Sequence, residues 1–352
     1  MTVRLRAFEE LTHMQSNLCN KITCADEGAA EGAVAAEAPA AGGTGDLPAR
    51  EVLRAAFRSV KWRLGLALFV VVSLPVALLP RRLAVWLGGV AGALTVFFLP
   101  RVRRTAVGNI RDSLPYLETL PEWDPACGDP EAIVRRTFAN FGRTVVEVLT
   151  LYYGRGAGLM AGVEFRGVEH YEQARAKGKG IFFITGHCGN WELMALTFGA
   201  RFADVAVVAR RQKYPHFNGL LDRLRHGFGN SVIYAEGAAR SIFFRLRKQG
   251  IVGILIDQAV QENEGAVVDF FGRGAWTTTM PAVVAARTGA PLLPIFIHRE
   301  GGRHVVTISP EVELAPADDH RETTRRLNRA IEGHIARHPA EWLWVYKRWK
   351  RT

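Results

Sequence analysis

His187 and Glu192 stand five positions apart in the run Ile184-Thr185-Gly186-His187-Cys188-Gly189-Asn190-Trp191-Glu192. A histidine whose tautomer is fixed by a carboxylate is a general base able to take a proton from a hydroxyl. The acid then stabilises the imidazolium that forms. On one continuous helix, side chains five positions apart point roughly 140° away from each other and do not meet. They can meet if His187 sits on the turn leaving a strand and Glu192 in the first turn of the next helix. Gly186 and Gly189 permit that turn, and Asn190 is suited to cap the helix. The spacing suits a structural histidine held by a nearby acid equally well, and the residues alone leave both readings open. Cys188 adjoins His187, but neighbouring side chains rarely point at each other, so a thiol nucleophile is not favoured.

Such a turn needs a scaffold, and the alternation of apolar runs with helical spacing supplies one. Strands are expected at 180–185, 204–209, 231–234, 251–256, 292–297 and 304–308, and helices at 190–199, 215–227, 237–249, 281–288 and 320–337. A further helical pattern runs from Pro130 through Leu149. This alternation predicts an α/β fold with a largely parallel central sheet flanked by helices. Sites in such sheets form at the carboxyl ends of the strands. His187, Arg210 and the pair Asp257-Gln258 each follow a predicted strand, so all three are expected at one rim.

Composition bounds the setting. The 352 residues carry a net charge of +11, but residues 1–50 are acidic; residues 51–352 hold 41 Lys and Arg against 27 Asp and Glu, a net of +14. A basic body suits an anionic membrane surface, phosphorylated substrates or an acidic protein. Zinc-finger, basic-zipper and aromatic RNA-binding signatures are absent from the sequence, so no nucleic-acid partner is expected. Cys19, Cys24, Cys127 and Cys188 make no CxxC pair, which points to a reducing compartment. The stretch from Gly28 to Gly45 is mostly Ala, Gly and Glu, and residues 1–50 read as a disordered tail. Residues 51–104 read as a membrane anchor. Leu64–Pro80 and Leu83–Pro100 are uncharged runs of 17 and 18 residues, separated by Arg81-Arg82 and flanked by further arginines. Both a helical hairpin and one span followed by an interfacial helix satisfy that pattern. Residues 105–352 are left as the catalytic domain.

The chain resembles the lipid A biosynthesis acyltransferases, the lauroyl and myristoyl transferases of the wider lysophospholipid acyltransferase group. The resemblance runs from about Trp62 to Lys350. It is carried by Arg103-Arg104-Thr105-Ala106-Val107-Gly108-Asn109-Ile110, by Phe138-Ala139-Asn140-Phe141-Gly142-Arg143, and by the His-x4-Glu pair His187 and Glu192. Downstream, Asp257-Gln258, Asp269-Phe270-Phe271-Gly272, Ala286-Arg287-Thr288-Gly289-Ala290-Pro291 and the ending Glu341-Trp342-Leu343-Trp344…Lys347-Arg348-Trp349-Lys350 continue the series. Two departures concern the acceptor: Ala209-Arg210-Arg211 replaces a Tyr-Arg-Pro, and Tyr346 stands where a histidine is usual. Glu236-Gly237-Ala238-Ala239-Arg240 looks like the Glu-Gly-Thr-Arg block of glycerol-phosphate acyltransferases.

The resemblance implies transfer of an acyl chain from a thioester, on acyl carrier protein or coenzyme A, to a hydroxyl of a glycolipid such as a lipid A precursor. It implies no cofactor and no metal, and it places the catalytic domain on the cytoplasmic side of the inner membrane. His187 would be the base and Glu192 its orienting acid. Arg225, where the family has a functional arginine, would be first choice to stabilise the oxyanion; Arg210 would hold an acceptor phosphate, and Asp257 and Gln258 acceptor hydroxyls. Asp257 could instead brace Arg225. The sequence contains no Gly-x-Ser-x-Gly elbow, in keeping with direct attack and no acyl-enzyme. Trp191, Met194, Leu196 and Phe198 are candidates to line an acyl slot or to be core, and Trp342, Trp344 and Trp349 to touch headgroups or edge a strand. His334 and His338 have metal-compatible spacing but lack a third ligand nearby, so zinc is not expected. The rival readings are a phospholipid or mannolipid acyltransferase, a lipid-binding scaffold that has lost the reaction, and a thioesterase.

Overall fold

Five successive residues without a charge, Ile181–Thr185, form strand β2, buried along its whole length because strands flank it on both sides and helices cover both faces. This computed structural model describes residues 70–211, 215–315 and 319–350; the expected tail, residues 51–69 of the expected anchor and Lys213 lie outside them. The chain divides into two units at Leu78/Leu79. The first is described over residues 70–78, which are helical. The second begins at Leu79 and holds the sheet.

That sheet has seven strands: β1 (Val163–Arg166), β2, β3 (Val205–Ala209), β4 (Ser231–Tyr234), β5 (Ile251–Leu255), and, after a separate hairpin of β6 (Ala266–Phe270) and β7 (Arg273–Thr277), β8 (Leu292–Glu300) and β9 (Arg303–Ile308). The order is β1-β9-β8-β2-β5-β3-β4, parallel at every pairing except the β8–β9 hairpin. The expected α/β architecture is present. All six expected strands form, and the five expected helices appear as Trp191–Arg201, Pro215–Gly227, Ala238–Arg247, Met280–Thr288 and His320–Arg337. Strand β1 and the β6–β7 hairpin are additions.

Ahead of the sheet come α1 (Arg81–Phe98), α2 (Pro100–Leu117) and α3 (Pro130–Tyr152), with Asp129 capping α3 through the Glu131 amide. The second apolar run of the sequence is α1, an 18-residue helix apolar enough to cross a membrane by length and composition. One side of it is bedded on α3 through glycines. A methyl on Gly142 would stand 2.1 Å from the Gly88 carbonyl oxygen, and one on Gly92 2.2 Å from the Phe138 carbonyl oxygen. Gly142→Ala therefore forces the helices apart and should cost about 1–3 kcal/mol, read as a lower midpoint in chemical denaturation. Gly108→Ala in α2, where a methyl meets nothing within 4 Å, is the matched control and should leave stability unchanged or raised.

Candidate active site

The β2 chain leaves the sheet at Thr185 and turns through Gly186-His187-Cys188-Gly189 before Asn190 caps helix α6 (Trp191–Arg201; α4 and α5 are Ala157–Ala161 and Val168–Ala176). Asn190 accepts from the Leu193 amide at 3.0 Å. Gly189 needs its freedom: its φ is +55°, and a Cβ would lie 2.3 Å from the Ile297 carbonyl oxygen. A Cβ on Gly186 would stand 3.2 Å from the Asp257 carboxyl. The turn is thereby pressed against the end of β5, where Ile256 donates to the Thr185 carbonyl at 3.1 Å and Asp257 comes next.

The carboxylate that meets His187 is Asp257, a correction to the five-residue pairing with Glu192 expected from the sequence. His187 Nδ1 lies 2.8 Å from Asp257 Oδ1, and the His187 backbone amide donates to Oδ2 at 2.8 Å. The Trp342 indole donates to the same Oδ2 at 2.7 Å. Burial alone would raise the Asp257 carboxyl, but the charge and hydrogen bonds of His187, with the indole N–H, hold it below its ordinary value. An ionised carboxylate only accepts, so Nδ1 carries the proton and Nε2 is the basic nitrogen. The His187 side chain is 18 % exposed against 0 % for Asp257, so the base can be reached and its partner cannot. Gln258 Nε2 sits 3.2 Å from His187 Nε2, over the basic nitrogen, and Trp191 and Tyr346 flank the ring with centroids at 5.0 and 5.3 Å.

Glu192 is occupied elsewhere. It receives Arg225 Nε at 2.7 Å and Nη2 at 2.9 Å, a bidentate pair buried between α6 and α7 (Pro215–Gly227). Burial would lower the Arg225 guanidinium, but the bonds and charge of Glu192 keep it above its ordinary value. Asp257 does not brace Arg225; the bonds it makes go to His187 and Trp342. Arg210 is exposed at the end of β3, 3.3 Å from Glu264, a solvated pair that contributes little to stability. Gly237 takes a left-handed φ of +72° before α8 (Ala238–Arg247), so the Glu-Gly-Ala-Ala-Arg segment is a helix entry. Met194, Leu196 and Phe198 are core, while Trp191 is half-buried beside the imidazole.

The supports of this site were not read from the sequence. Glu147, set among valines on α3, receives Asn190 Nδ2 at 2.9 Å, Arg299 at 2.7 Å and His304 at 2.9 Å. Burial opposes its ionisation, yet these partners hold it at about 2. Arg299 also reaches Glu341 at 3.2 Å. A carboxylate amid Val145, Val146 and Val148 was the available signal. The C-terminal segment is a strap across the site. Asn140 donates to the Ala340 carbonyl at 3.1 Å, and Asn109 donates to the carbonyls of Trp344 and Tyr346 at 2.7 and 2.8 Å. Trp342 and Trp344 are fully buried, so neither touches headgroups nor lies at a solvated edge.

Beneath the strap, His298 of β8 stacks on His338 with centroids 3.8 Å apart, and His334 of the last helix stacks on Phe296 at 4.4 Å. Burial lowers all three imidazoles, His338 to about 4. The unfolded chain thus binds protons below pH 6.5 that the folded chain refuses, at His338 until about pH 4. The stability these rings contribute is complete above 6.5 and lost as pH falls through that window. Glu332, raised to about 7 by burial, acts in the opposite sense. Between pH 6.5 and 4.5 the wild type should therefore lose more stability than His338→Gln, by denaturation midpoints taken side by side.

The sequence profile of a family described as bacterial lipid A biosynthesis acyltransferase matches residues 56–351. A lipid A biosynthesis acyltransferase of Haemophilus influenzae is 25% identical over 292 residues, 81% of this chain and 86% of that protein. The lipid A biosynthesis myristoyltransferase of Escherichia coli is 26% identical over 290 residues, 76% of this chain and 87% of that one. A phosphatidylinositol mannoside acyltransferase of Mycobacterium tuberculosis is 27% identical over 232 residues, 64% and 72% of the two chains.

Proposed function

The chain belongs to the bacterial lipid A biosynthesis acyltransferase family and is an acyltransferase; from that premise we propose that it carries a fatty acyl group from a thioester to a hydroxyl of a lipid A precursor, at the cytoplasmic face of the inner membrane. His187 Nε2 removes the acceptor's proton as the oxygen attacks the thioester carbonyl. The tetrahedral intermediate collapses, the carbon–sulfur bond breaks, and the thiolate takes the proton from the imidazolium. Asp257, buried and ionised, stabilises that imidazolium and fixes the tautomer. Gln258 covers Nε2 in the free enzyme, and the acceptor hydroxyl takes its place. Arg225 commits Nε and Nη2 to Glu192, leaving Nη1 for the developing oxyanion, whereas exposed Arg210 is suited to an acceptor phosphate. Glu192 acts through Arg225 rather than through His187.

One observation carries the reading: a reachable imidazole whose Nδ1 is held at 2.8 Å by a sealed carboxylate, at the carboxyl rim of a parallel sheet. The test is mass spectrometry of products from the full chain in membranes, given acyl thioesters and a panel of lipid A precursors, mannolipids and lysophospholipids. Transfer to the lipid A precursor is expected, with His187→Ala lowering the rate by ~10²–10⁴-fold. Full transfer by His187→Ala would sink the mechanism. Preferred transfer to the mannolipid would reassign the acceptor, and free fatty acid released without acceptor would favour a thioesterase.

A further inference from the structure

At 18 residues, α1 is roughly 27 Å long, enough to cross a hydrocarbon core. Its neighbours forbid that orientation. The middle of α1, Gly88 to Gly92, rests on the middle of α3 at Gly142, and a Cβ on Gly89 would meet the Arg143 guanidinium at 2.8 Å. Arg143 bonds Asn140, Asn140 holds the C-terminal strap, and Glu147 begins the ionic network one turn further on. A spanning α1 would carry this polar stretch of α3 to mid-bilayer, where charged groups and the irregular backbone they hold are expensive.

The opposite side of α1 is bare. Leu83, Trp86, Val90, Leu94 and Phe97 are all exposed, Trp86 by 61% and Phe97 by 65%. At 100° per residue these five fall within an arc of roughly 80°, centred opposite the side that meets α3. Phe141 and Val145 of α3 are exposed too, each next in sequence to a residue, Gly142 or Val146, that touches α1. Cations close both ends of the apolar strip: Arg81 and Arg82 at one, Arg101 and Arg104 at the other, all exposed.

We propose that α1 lies in the plane of an anionic bilayer surface, its Leu83–Phe97 arc sunk to the acyl boundary and its terminal arginines among the phosphates. This deepens the membrane-surface reading of the proposed function, on which it rests, and replaces a span by an interfacial helix for this segment. An apolar strip with basic ends suits a lipid surface, where arginines meet phosphates and the strip meets acyl chains.

The test uses the full chain with Cys19, Cys24 and Cys127 replaced by serine and one new cysteine at a time: Leu83→Cys, Trp86→Cys, Val90→Cys, Leu94→Cys or Phe97→Cys. Each carries a nitroxide, and its depth is read by oxygen and nickel-chelate accessibility on vesicles of phosphatidylcholine and phosphatidylglycerol. The expected result is one shallow depth, roughly 5–10 Å, shared by all five labels. Trp86→Lys with Leu94→Lys should weaken vesicle binding at least tenfold and leave turnover of detergent-dispersed substrate unchanged. Depth that peaks at residue 90 and falls toward both ends would show a span and overturn the proposal. So would labels that stay in water on vesicle-bound protein, a result that leaves the membrane-surface reading standing. Labels shielded before vesicles are added, or broadened by a second copy, would give the face to protein instead. Failure of the full chain to bind vesicles at all would remove both readings together.

Discussion

Asp257→Asn should lower the rate of acyl transfer by about 10⁴-fold while the protein remains folded. The size of the effect comes from proton placement. Oδ2 accepts two N–H groups, from the His187 backbone and the Trp342 indole, and Oδ1 accepts the third, from the imidazole. An asparagine of the same shape keeps its oxygen toward the two fixed donors and turns its amide N–H₂ toward Nδ1. Nδ1 must then become the acceptor, so the proton moves to Nε2, and the nitrogen facing the acceptor is no longer a base. The imidazolium formed during attack also loses its counter-charge. Single-turnover kinetics with saturating thioester, beside a thermal melt of each variant, separate this from unfolding. Retention of a tenth or more of wild-type turnover by folded Asp257→Asn would show that the contact is structural. Trp342→Phe removes one of the three donors and should give a smaller loss of the same kind.

The sheet and the location of its site were legible because both arise from short-range signals. Short apolar runs mark β2, β3 and β5, β2 lying between Gly180 and Gly186, and parallel pairing forces the residues just beyond them to one rim. His187 and Asp257 each fell in that expected place. The identity of the pair was not legible, because Asp257 is 70 positions from His187 and their contact depends on register. Thr185 pairs with Leu255, so the residues two beyond each, His187 and Asp257, leave neighbouring strands at the same level. Glu192 is nearer in sequence, but the Asn190 cap starts the helix with Glu192 turned toward α7 and Arg225.

The Phe-Phe-Gly block hid a hairpin for a different reason. A tight turn with two left-handed residues calls for Asn-Gly or Gly-Gly, and here Phe271 takes φ +53° before Gly272 at +70°. Phe271 tolerates that conformation because its ring is fully buried and stacked on Trp344, and its amide is held by Glu332 at 2.7 Å. The apolar block at Leu83–Pro100 was legible as hydropathy alone. The glycines that bed one of its sides on α3 read only as interruptions until their contact with Gly142 was seen.

Glu192→Ala and Arg225→Ala should each cost roughly 3–5 kcal/mol of stability, because either change strands one buried charge without its partner. Against the ~5–15 kcal/mol that holds a domain of ordinary stability, such a loss leaves a domain at the low end of that range partly unfolded in cells. For Glu192→Ala, bulk activity would fall with the folded fraction and mimic a catalytic defect, whereas Arg225→Ala would also lose its oxyanion donor. The two substitutions should not add: the double variant loses little more than the worse single one, since each removes the same pair. Urea denaturation of the four proteins gives the coupling directly, and turnover divided by folded fraction gives the chemistry. By that measure folded Glu192→Ala should keep far more activity than Asp257→Asn, because Glu192 holds an arginine and Asp257 holds the base. Variants at Glu192 that stay within about 1 kcal/mol of wild type and still lose 10³-fold in turnover would reverse the roles assigned to the two carboxylates.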